Sequence, residues 1–586
     1  MNYNLNALSN EQEKQSTYQA LKRLLKLIAA ERKTLWLALI AIILNSGLLL
    51  VGPLLIGYTI DNYIRTKDFH GVLMFGGILL LVYITAMFTG YTQTNLMGGV
   101  GQRMLFTLRN AIFNKLQELP VSFFNQNKAG DLISRVNNDT DKLNQFFSQS
   151  LMQFIGSIIT IIGAGIFLLS INTELGAATL SPAIFIVLFT IALSPWVKRK
   201  NAKNLKSVGG MSAEIQESLN NFKVIIAFNR RDYFRKRFNE VNDINYKTAI
   251  GAGLANNIFV PVYGLLSSIA QLIVLLFGIH LIVIGSFSLG LLVSYIAYAT
   301  NFYNPLRQLA ALWTSFQVAM ASWDRISQIL LLNNDLQQVE NDKTIHSDAL
   351  LEFKNVHFSY DDAKEILHNI NLKFEKGKTY ALIGPTGGGK TTTASLISRL
   401  YDATKGNILL DGKDIRSYTP AQRTKKIGFI LQEPFLFTGT VKDNILYGNS
   451  DYQNVTDEEL EKIIEDANLN ALLAIFDEGL NTKITAASDD ISLGQKQLIA
   501  FMRAVLRNPE LLILDEATAN IDTITEQLLS SILNKLSKET TLVIIAHRLN
   551  TIENADEIYF VNDGEVQKAG TLNEALELLL KGKRVS

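Results

Sequence analysis

The amino-acid sequence predicts an α-helical transmembrane domain fused to an α/β domain. Two observations predict this fold class. The first 306 of the 586 residues contain long stretches without a charged residue, and from residue 350 onward short β-branched runs alternate with helical ones. The mean hydropathy of +0.16 is high for a soluble protein and low for a wholly membrane-embedded one, as expected when two such halves are averaged. A chain of this length is also expected to form two or more domains.

The transmembrane domain is predicted from segments that lack Lys, Arg, Asp and Glu. A helix needs about 20 mostly apolar residues to cross a bilayer. Four segments accommodate one span each, and the fifth accommodates two, with a break at residues 285–290. The sequence therefore predicts six spans. The five segments are residues 34–60, 71–102, 143–173, 175–197 and 248–306.

The basic residues predict the orientation of these spans. Residues 103–142 and 198–247 are long and rich in Lys and Arg, whereas the alternate connections are short, although one of them also carries two basic residues. The positive-inside rule places both termini and the two long connections in the cytoplasm. Structureless connections of this length are uncommon, so we expect long cytoplasmic extensions of the helices. Apolar tips at residues 119–124 and 217–229 are expected to contact a protein surface.

The segments outside the spans complete the predicted domain organisation. Residues 16–33 carry leucines and an isoleucine at helical spacing with basic residues between them, which fits a helix lying on the membrane surface. An ordinary solvated helix packed on protein fits equally well. The predicted parts are a tail with this interfacial helix at 1–33, a transmembrane domain at 34–326, a linker at 327–349 and the α/β domain at 350–586.

A glycine-rich loop lies between a predicted strand at residues 379–383 and a predicted helix. Its framing glycines, lysine and threonine have the spacing of a phosphate-binding loop, and the strand and helix around it argue against a chance turn. In such a loop backbone N–H groups surround a phosphate chain, Lys390 reaches the β- and γ-phosphates, and the Thr391 hydroxyl binds Mg²⁺. The residues concerned are Gly384, Pro385, Thr386, Gly387, Gly388, Gly389, Lys390, Thr391 and Thr392.

Polar residues also follow other predicted strands of the α/β domain, and open α/β sheets bind ligands at the C-terminal ends of their strands. Asp515, which ends an apolar strand, is suited to hold Mg²⁺ directly or through water. Glu516 is suited to polarise the attacking water as a general base. Gln432 and His547 follow two further strands and are able to sense Mg²⁺, water or the γ-phosphate. Each of these residues alone is more commonly an ordinary surface residue, and only their joint order is specific.

With these motifs in this order, the chain resembles an ATP-binding cassette exporter half-transporter, in which six spans are fused to one nucleotide-binding domain. The resemblance covers nearly the full length. It implies ATP and Mg²⁺ as cofactors, a second half-transporter as partner, and two coupling helices at the hairpin tips. By residue, it assigns Tyr360 to adenine stacking, 384–391 to Walker A, Gln432 to the Q-loop, Ser492, Leu493, Gly494 and Gln495 to the signature, Asp515 to Walker B, Glu516 to the catalytic glutamate, Asp522 to the D-loop and His547 to the switch histidine.

The signature departs from the family pattern. The family has Leu-Ser-Gly-Gly-Gln where this chain has Ile-Ser-Leu-Gly-Gln, so Leu493 stands at the position of a glycine that faces the nucleotide. In this family each ATP is held between the Walker motifs of one chain and the signature of the other. We therefore hypothesise that the chain is the glutamate-bearing subunit of a heterodimer, as in bacterial heterodimeric multidrug exporters. A homodimer that tolerates Leu493 is the alternative.

The function implied by the resemblance is ATP-driven export of amphiphilic compounds across the cytoplasmic membrane by alternating access. The lipid bilayer and an amphiphilic small molecule are therefore expected partners. A lipid flippase or a peptide exporter remains an alternative, and an ATP-gated channel or sensor is a further one that an intact Glu516 disfavours.

The near-neutral net charge of +1 gives no signal for binding nucleic acid. The chain has no cysteine, which excludes disulfides, a catalytic thiol and cysteine-based zinc sites.

Overall fold

The structure is a computed structural model, and it describes most of the chain. The described residues are 3–5, 31–334, 336, 338–340, 349–360, 364–449, 451–452, 455–485, 491–515, 523–536, 540–545, 552, 555–570 and 572–582. They form two compact units. One unit contains residues 31–116 and 130–331, and the other contains residues 332–582 together with 117–129 and the N-terminal residues 3–5.

Residues 31–331 are mostly helical. Its helices are α1 (Arg32–Thr59), α2 (Phe69–Glu118), α3 (Val121–Gln126), α4 (Ala129–Ser134), α5 (Thr140–Gln145), α6 (Leu151–Ile171), α7 (Thr173–Asn220), α8 (Phe222–Ala227), α9 (Arg231–Asn257), α10 (Phe259–Val283) and α11 (Leu289–Leu330). The 50 residues of α2 correspond to about 75 Å, compared with about 30 Å for the hydrocarbon core of a bilayer. The helices are therefore long enough to continue well beyond a membrane, as the sequence predicts. The predicted interfacial helix falls almost entirely outside the described residues.

Five helices in the described part of the chain are long and apolar enough to cross a membrane. They are Arg32–Ile64, Phe69–Glu118, Ala129–Ile171, Thr173–Asn220 and Arg231–Val283. The sixth predicted span corresponds to α11, a helix of 42 residues that continues through Pro305. This helix is long enough to cross a membrane, but it is less apolar than the other five. Its first turns carry tyrosines, asparagines and a threonine, which lower its apolar character. The structure thus supports five of the six predicted spans by length and composition.

The predicted break at residues 285–290 separates α10 from α11. Ser288 caps α11, because its hydroxyl accepts a hydrogen bond from the Leu291 N–H at 3.1 Å. The Asp61 carboxylate accepts a second hydrogen bond, from the Gly290 N–H at 2.9 Å. Two of the N–H groups that have no partner within the new helix are therefore satisfied, which stabilises the start of a separate helix here.

Three buried tyrosines of α11 join it to the helices around it. The Tyr298 hydroxyl donates to the Leu50 carbonyl of α1 at 2.7 Å, and the Tyr303 hydroxyl donates to the Thr179 carbonyl of α7 at 2.7 Å. The Tyr295 hydroxyl donates to the carbonyl of Leu168 in α6. Hydroxyls that are fully partnered by backbone carbonyls fit a structural role in helix packing.

The second unit is an α/β domain. Its strands are β1 (Ala349–Ser359), β2 (Glu365–Glu375), β3 (Thr379–Ile383), β4 (Lys405–Leu410), β5 (Lys413–Asp414), β6 (Ile427–Ile430), β7 (Gly439–Thr440), β8 (Lys483–Ile484), β9 (Leu511–Asp515), β10 (Thr541–Ile545), β11 (Glu557–Asn562) and β12 (Glu565–Lys568). Its helices are α12 (Lys390–Ile397), α13 (Pro420–Lys426), α14 (Val441–Ile445), α15 (Asp457–Asp466), α16 (Asn470–Leu473), α17 (Leu493–Val505), α18 (Thr523–Leu536) and α19 (Leu572–Gly582).

Two sheets organise this domain. The larger sheet has the strand order β12-β11-β3-β10-β9-β6, and its five strands other than β12 are parallel. The smaller sheet, β2-β1-β4-β5, is antiparallel. Strands β3, β9 and β10 are buried along their whole length, as expected for the centre of a parallel sheet with covered faces. Strands β11 and β12 pair antiparallel as a hairpin.

Candidate functional site

The glycine-rich loop connects β3 to α12 as the sequence predicts. Gly384 follows the end of β3 with a φ of +148°, and a Cβ at this position would lie 1.9 Å from the Val561 carbonyl oxygen in β11. A side chain there would meet rigid backbone, so only glycine fits. Pro385, Thr386, Gly387, Gly388 and Gly389 complete the turn before Lys390 opens the helix.

Lys390 is folded over this loop. Its Nζ donates hydrogen bonds to the carbonyls of Gly384 at 2.9 Å and Pro385 at 3.0 Å, and the residue is buried. Thr391 is exposed, whereas Thr392 is buried and its hydroxyl lies 3.0 Å from the Tyr360 hydroxyl. The ammonium group and the exposed hydroxyl of Thr391 thus lie at the first turn of α12, where a helix N-terminus favours an anion.

The order of the strands brings several predicted residues to one edge of the larger sheet. Strand β10 lies between β3 and β9, and Ile545 pairs with Asp515, the last residue of β9. Strand β6 flanks β9 on its other side, and the exposed Gln432 follows β6 by two residues. The phosphate-binding loop, Asp515 and Gln432 therefore lie at the carboxyl edge of neighbouring parallel strands. Glu516, Asp522 and His547 lie outside the described residues.

The oxygen-bearing side chains at this edge suit Mg²⁺. Mg²⁺ prefers oxygen ligands, retains several waters and is held by few protein groups together with substrate phosphates. A threonine hydroxyl (Thr391), a carboxylate (Asp515) and an amide (Gln432) fit that requirement. Among the described residues, no group of three or more His, Cys, Asp or Glu side chains forms a metal cage. A cage of that kind is not what Mg²⁺ requires at a phosphate site.

Tyr360 belongs to an aromatic cluster beside the loop. Its ring packs edge to face against Phe358 and Tyr401, with centroids 4.8 Å and 5.0 Å away, and 43% of the residue is exposed. The Tyr401 hydroxyl accepts a hydrogen bond from Asn125 Nδ2 of α3 at 2.7 Å. Burial raises the pKa of Tyr401, so this hydroxyl stays neutral. Sequence reasoning missed both Tyr401 and Asn125.

The predicted signature residues form the start of α17. Ser492 caps the helix: its hydroxyl accepts from the Gln495 N–H at 3.1 Å, while the Gln495 side chain accepts from the Ser492 N–H at 2.9 Å. Leu493 is 43% exposed at the first helical position, next to Gly494. The side chain of Leu493 is therefore exposed at the N-terminal end of α17. The resemblance predicts that this end of the helix faces a nucleotide.

An exposed aromatic surface follows the Q-loop position. It consists of Phe435, Phe437 and Tyr447, with Phe437 stacked on Tyr447 at 4.1 Å between ring centroids and Phe435 62% exposed. Arg503 of α17 lies against the Tyr447 ring, 5.5 Å from its centroid, and donates to the Asn444 carbonyl at 2.7 Å. Burial lowers the pKa of Arg503. An aromatic patch next to a half-buried arginine is typical of protein–protein contact sites, and sequence analysis did not identify it.

Comparison with known proteins identifies both halves of the chain. The family model described as the ABC transporter transmembrane region matches residues 35–306, and the one described as ABC transporter matches residues 367–519.

Relatives match along most of their own length. An uncharacterized ABC transporter ATP-binding protein, YfiC of Bacillus subtilis, is 33% identical over 568 residues, which cover 96% of this chain and 92% of the relative. A fatty acid ABC transporter ATP-binding/permease protein of Mycobacterium tuberculosis is 32% identical, covering 87% and 80%. A multidrug resistance ABC transporter ATP-binding and permease protein of Lactococcus lactis is 31% identical, covering 86% and 85%.

Long apolar helices, a phosphate-binding loop at the carboxyl edge of a parallel sheet, and these matches agree with one another. The chain belongs to the ABC transporter family, as a multi-pass membrane protein whose ATPase domain drives export across the membrane.

Proposed function

We propose that this chain is one half of a dimeric exporter that moves amphiphilic compounds out of the cytoplasm by alternating access. The observation that carries the proposal is the joint placement of the phosphate-binding loop, Asp515 and Gln432 at one sheet edge, in a chain that also has span-length apolar helices. The name of the Lactococcus lactis relative supports a multidrug substrate range.

At the proposed ATP site, each residue has a distinct task. Backbone N–H groups of residues 386–391 surround the phosphates, and Lys390 turns from the loop carbonyls to the β- and γ-phosphates. Thr391, Asp515 and Gln432 would hold Mg²⁺, which would neutralise negative charge on the phosphates. Tyr360 stacks on the adenine. Glu516 would polarise the attacking water, His547 would act as the switch histidine at the γ-phosphate, and Asp522 would be the D-loop aspartate.

The partner is proposed to be a different half-transporter. Leu493 places a branched, exposed side chain at the helix end that would otherwise offer backbone N–H groups to a nucleotide held by the partner. That site would hydrolyse ATP slowly. The site containing Glu516 would be completed by the partner's own signature. Expression of this chain alone tests the point, because a stable homodimer with full substrate-stimulated ATPase activity would contradict it.

The proposed membrane arrangement has six spans, with α11 as the sixth and with both termini and the ATPase domain in the cytoplasm. The proposed domain limits are the transmembrane domain at 34–326, the linker at 327–349 and the nucleotide-binding domain at 350–586. The location is the cytoplasmic membrane. Cysteines introduced at residues 67 and 286 would react with an impermeant maleimide in intact cells, whereas one at residue 228 would not.

The hairpin tip around α8 supports a role in coupling the two chains. It exposes Phe222, Val224 and Phe228, while Ile225 is buried. Apolar side chains exposed on an otherwise polar helical extension need a protein surface to cover them. A partner surface with the aromatic character that this chain has at Phe435, Phe437 and Tyr447 would cover them. Closure of the two ATPase domains would then move the spans through these tips.

A lipid or fatty acid substrate is a second candidate, favoured by the name of the Mycobacterium tuberculosis relative. Both candidates are tested in inverted membrane vesicles that contain the chain and its partner. We expect ATP-dependent uphill accumulation of an amphiphilic dye, and its loss in Glu516→Gln. Accumulation of a labelled fatty acid but no dye would favour the second candidate, and accumulation unaffected by Glu516→Gln would contradict both.

A further inference from the structure

We call the segment at residues 117–129, which contains α3, the first hairpin tip. One side-chain hydrogen bond joins it to the aromatic cluster of Phe358, Tyr360 and Tyr401 beside the phosphate-binding loop. Asn125 Nδ2, in α3, donates to the Tyr401 hydroxyl at 2.7 Å. Both residues belong to the same compact unit, although they are 276 positions apart in the sequence. Tyr401 is half-buried, and its hydroxyl is the polar atom through which α3 contacts this cluster.

Tyr401 in turn sets the position of Tyr360. The two rings are 5.0 Å apart between centroids and meet at 84°, so the edge of one ring abuts the face of the other. Phe358 contacts both rings, at 4.8 Å from Tyr360 and 5.6 Å from Tyr401. The Tyr360 hydroxyl lies 3.0 Å from the Thr392 hydroxyl in α12. A tilt of Tyr360 therefore alters its contact with Tyr401, its contact with Thr392 of α12, or both.

The tip is also held firmly on its other side, by the N-terminal residues. The Tyr3 N–H donates to Gln126 Oε1 at 2.7 Å, and Asn127 Nδ2 donates to the Tyr3 carbonyl at 2.9 Å. The Tyr3 ring packs edge to face against Phe123 at 6.3 Å. These contacts hold the tip at a second place, next to Asn125 in the sequence.

We propose that Tyr401 is a positioning residue that links occupation of the adenine site to the first hairpin tip. Its ring holds Tyr360 at the angle that presents a ring face to the base, and its hydroxyl passes any shift of that ring to Asn125. The inference rests on the proposed function, because it takes Tyr360 as the residue that stacks on adenine. The proposed link runs from the adenine base to the first hairpin tip and is separate from the contacts to the γ-phosphate.

The test measures amide hydrogen exchange over residues 117–129 in the full-length chain, purified as the complex with its partner half-transporter in lipid nanodiscs. Exchange is compared without ligand, with saturating Mg·AMP-PNP, which has a base but is not hydrolysed, and with saturating magnesium tripolyphosphate, which has no base. In the unaltered chain we expect AMP-PNP to change exchange in this segment by about threefold or more, and tripolyphosphate to have a much smaller effect.

Two variants remove the link without removing the ring. Tyr401→Phe keeps the packing against Tyr360 but loses the hydroxyl, and Asn125→Ala loses the donor. Each should abolish most of the response to AMP-PNP, and the double variant should lose no more than the larger single effect. Tyr418→Phe is the matched control, because it also loses a tyrosine hydroxyl of the same domain, one that donates to the Leu410 carbonyl at 2.9 Å. It should respond like the unaltered chain.

Each outcome has one meaning. If AMP-PNP does not bind the unaltered chain, measured by calorimetry, the proposed nucleotide site itself is wrong. If it binds but the tip responds equally in the unaltered chain, Tyr401→Phe and Asn125→Ala, the proposed link is wrong although the function stands. A tip response to tripolyphosphate as large as that to AMP-PNP also contradicts the link, since it would show that the phosphates alone are sensed.

Discussion

Arg325 of α11 and Asp139 form an ion pair of 3.1 Å, and the Asp139 carboxylate is fully buried. Asp139 lies in the short π-helical stretch between α4 and α5, so the pair joins the extension of the third span to that of α11. Lys142 and Ser322 also contact the Asp139 carboxylate, at 3.1 Å and 3.3 Å, and Arg325 also binds Asp131 at 2.5 Å. A network of this kind fixes the angle between two long helices.

We expect Arg325→Met to destabilise the helical unit by about 3 kcal/mol, because it leaves a buried carboxylate with one remaining cation. Arg325→Met combined with Asp139→Asn should cost less than the sum of the two single changes. Apparent melting temperatures of the full-length chain in detergent measure both effects. Arg235→Met is the control, since Arg235 forms an exposed ion pair with Asp232 and should have almost no effect. Additive losses would contradict the network.

Gly384→Ala should weaken nucleotide binding strongly. The φ of +148° and the 1.9 Å approach of a Cβ to the Val561 carbonyl leave no room for a side chain, so the loop would have to move away from β11. We expect ATP affinity to fall by at least about tenfold, measured by calorimetry. Gly387→Ala is the matched control. Its φ of +83° is also positive, but nothing lies within 4 Å of the added Cβ, so only backbone strain of about 1 kcal/mol is expected. Equal losses in both variants would show that the contact with β11 is unimportant.

The Asp411–Lys426 ion pair should stabilise the ATPase domain over a defined pH range. Burial alone would raise the pKa of Asp411, but hydrogen bonds from Lys426 at 2.6 Å and from Lys376 hold that pKa below its ordinary value. Burial alone would lower the pKa of Lys426, but its carboxylate partners, Asp411 and Glu510, raise it. The Asp411 contribution is therefore present above about pH 4 and is lost as pH falls through its lowered pKa, and the Lys426 contribution is present below about pH 10 and is lost as pH rises through its raised pKa.

Asp411→Asn should accordingly lower stability by about 1 kcal/mol at pH 7, and by progressively less as the pH falls below about 4. Melting temperatures of the full-length chain at several pH values measure this difference. Asp451→Asn is the control, because its ion pair with Lys425 is mostly exposed and should contribute little at any pH. A loss in Asp411→Asn that is independent of pH would mean that hydrogen bonding, and not charge, explains the contact.

The N-terminal residues should hold the first hairpin tip through Tyr3. The Tyr3 side chain is fully buried, and its hydroxyl donates to the Asn333 carbonyl at 3.1 Å. Tyr3→Phe loses only that hydrogen bond, at a cost of about 1 kcal/mol, whereas Tyr3→Ala also loses the ring contact with Phe123 and should release the segment. Hydrogen exchange at residues 121–127 should rise strongly in Tyr3→Ala and little in Tyr3→Phe. Unchanged exchange in both variants would contradict the anchoring role.

The features that could be predicted from the sequence are those that short, local patterns indicate. Uncharged stretches indicate the long helices, the glycine spacing indicates the phosphate-binding loop, and the end of an apolar run indicates the position of Asp515. Contacts between distant segments could not be predicted in this way. Asn125 and Tyr401 are ordinary residues in their local sequence, and only the packing of a tip helix against the ATPase domain brings them together.

Two further features have no local signal. The N-terminal residues 3–5 lie in a polar segment, and their burial depends on a groove formed by residues far along the chain. The π-helical stretches at 60–64, 135–139 and 146–150 occur within otherwise regular helical patterns, so their periodicity does not reveal them. The polar side chains of α11 lower the mean hydropathy of this helix. Three of them are tyrosines that form hydrogen bonds inside the helix bundle.

The central claim is that ATP held at the loop of this chain drives movement of cargo across the membrane. The most direct measurement compares Lys390→Ala with the unaltered chain, each reconstituted with its partner in proteoliposomes and with the partner's own phosphate-binding loop disabled. ATP hydrolysis and uphill accumulation of an amphiphilic dye are recorded in the same preparation. We expect Lys390→Ala to reduce both by at least about a hundredfold. ATP-dependent accumulation that persists in this variant would contradict the claim.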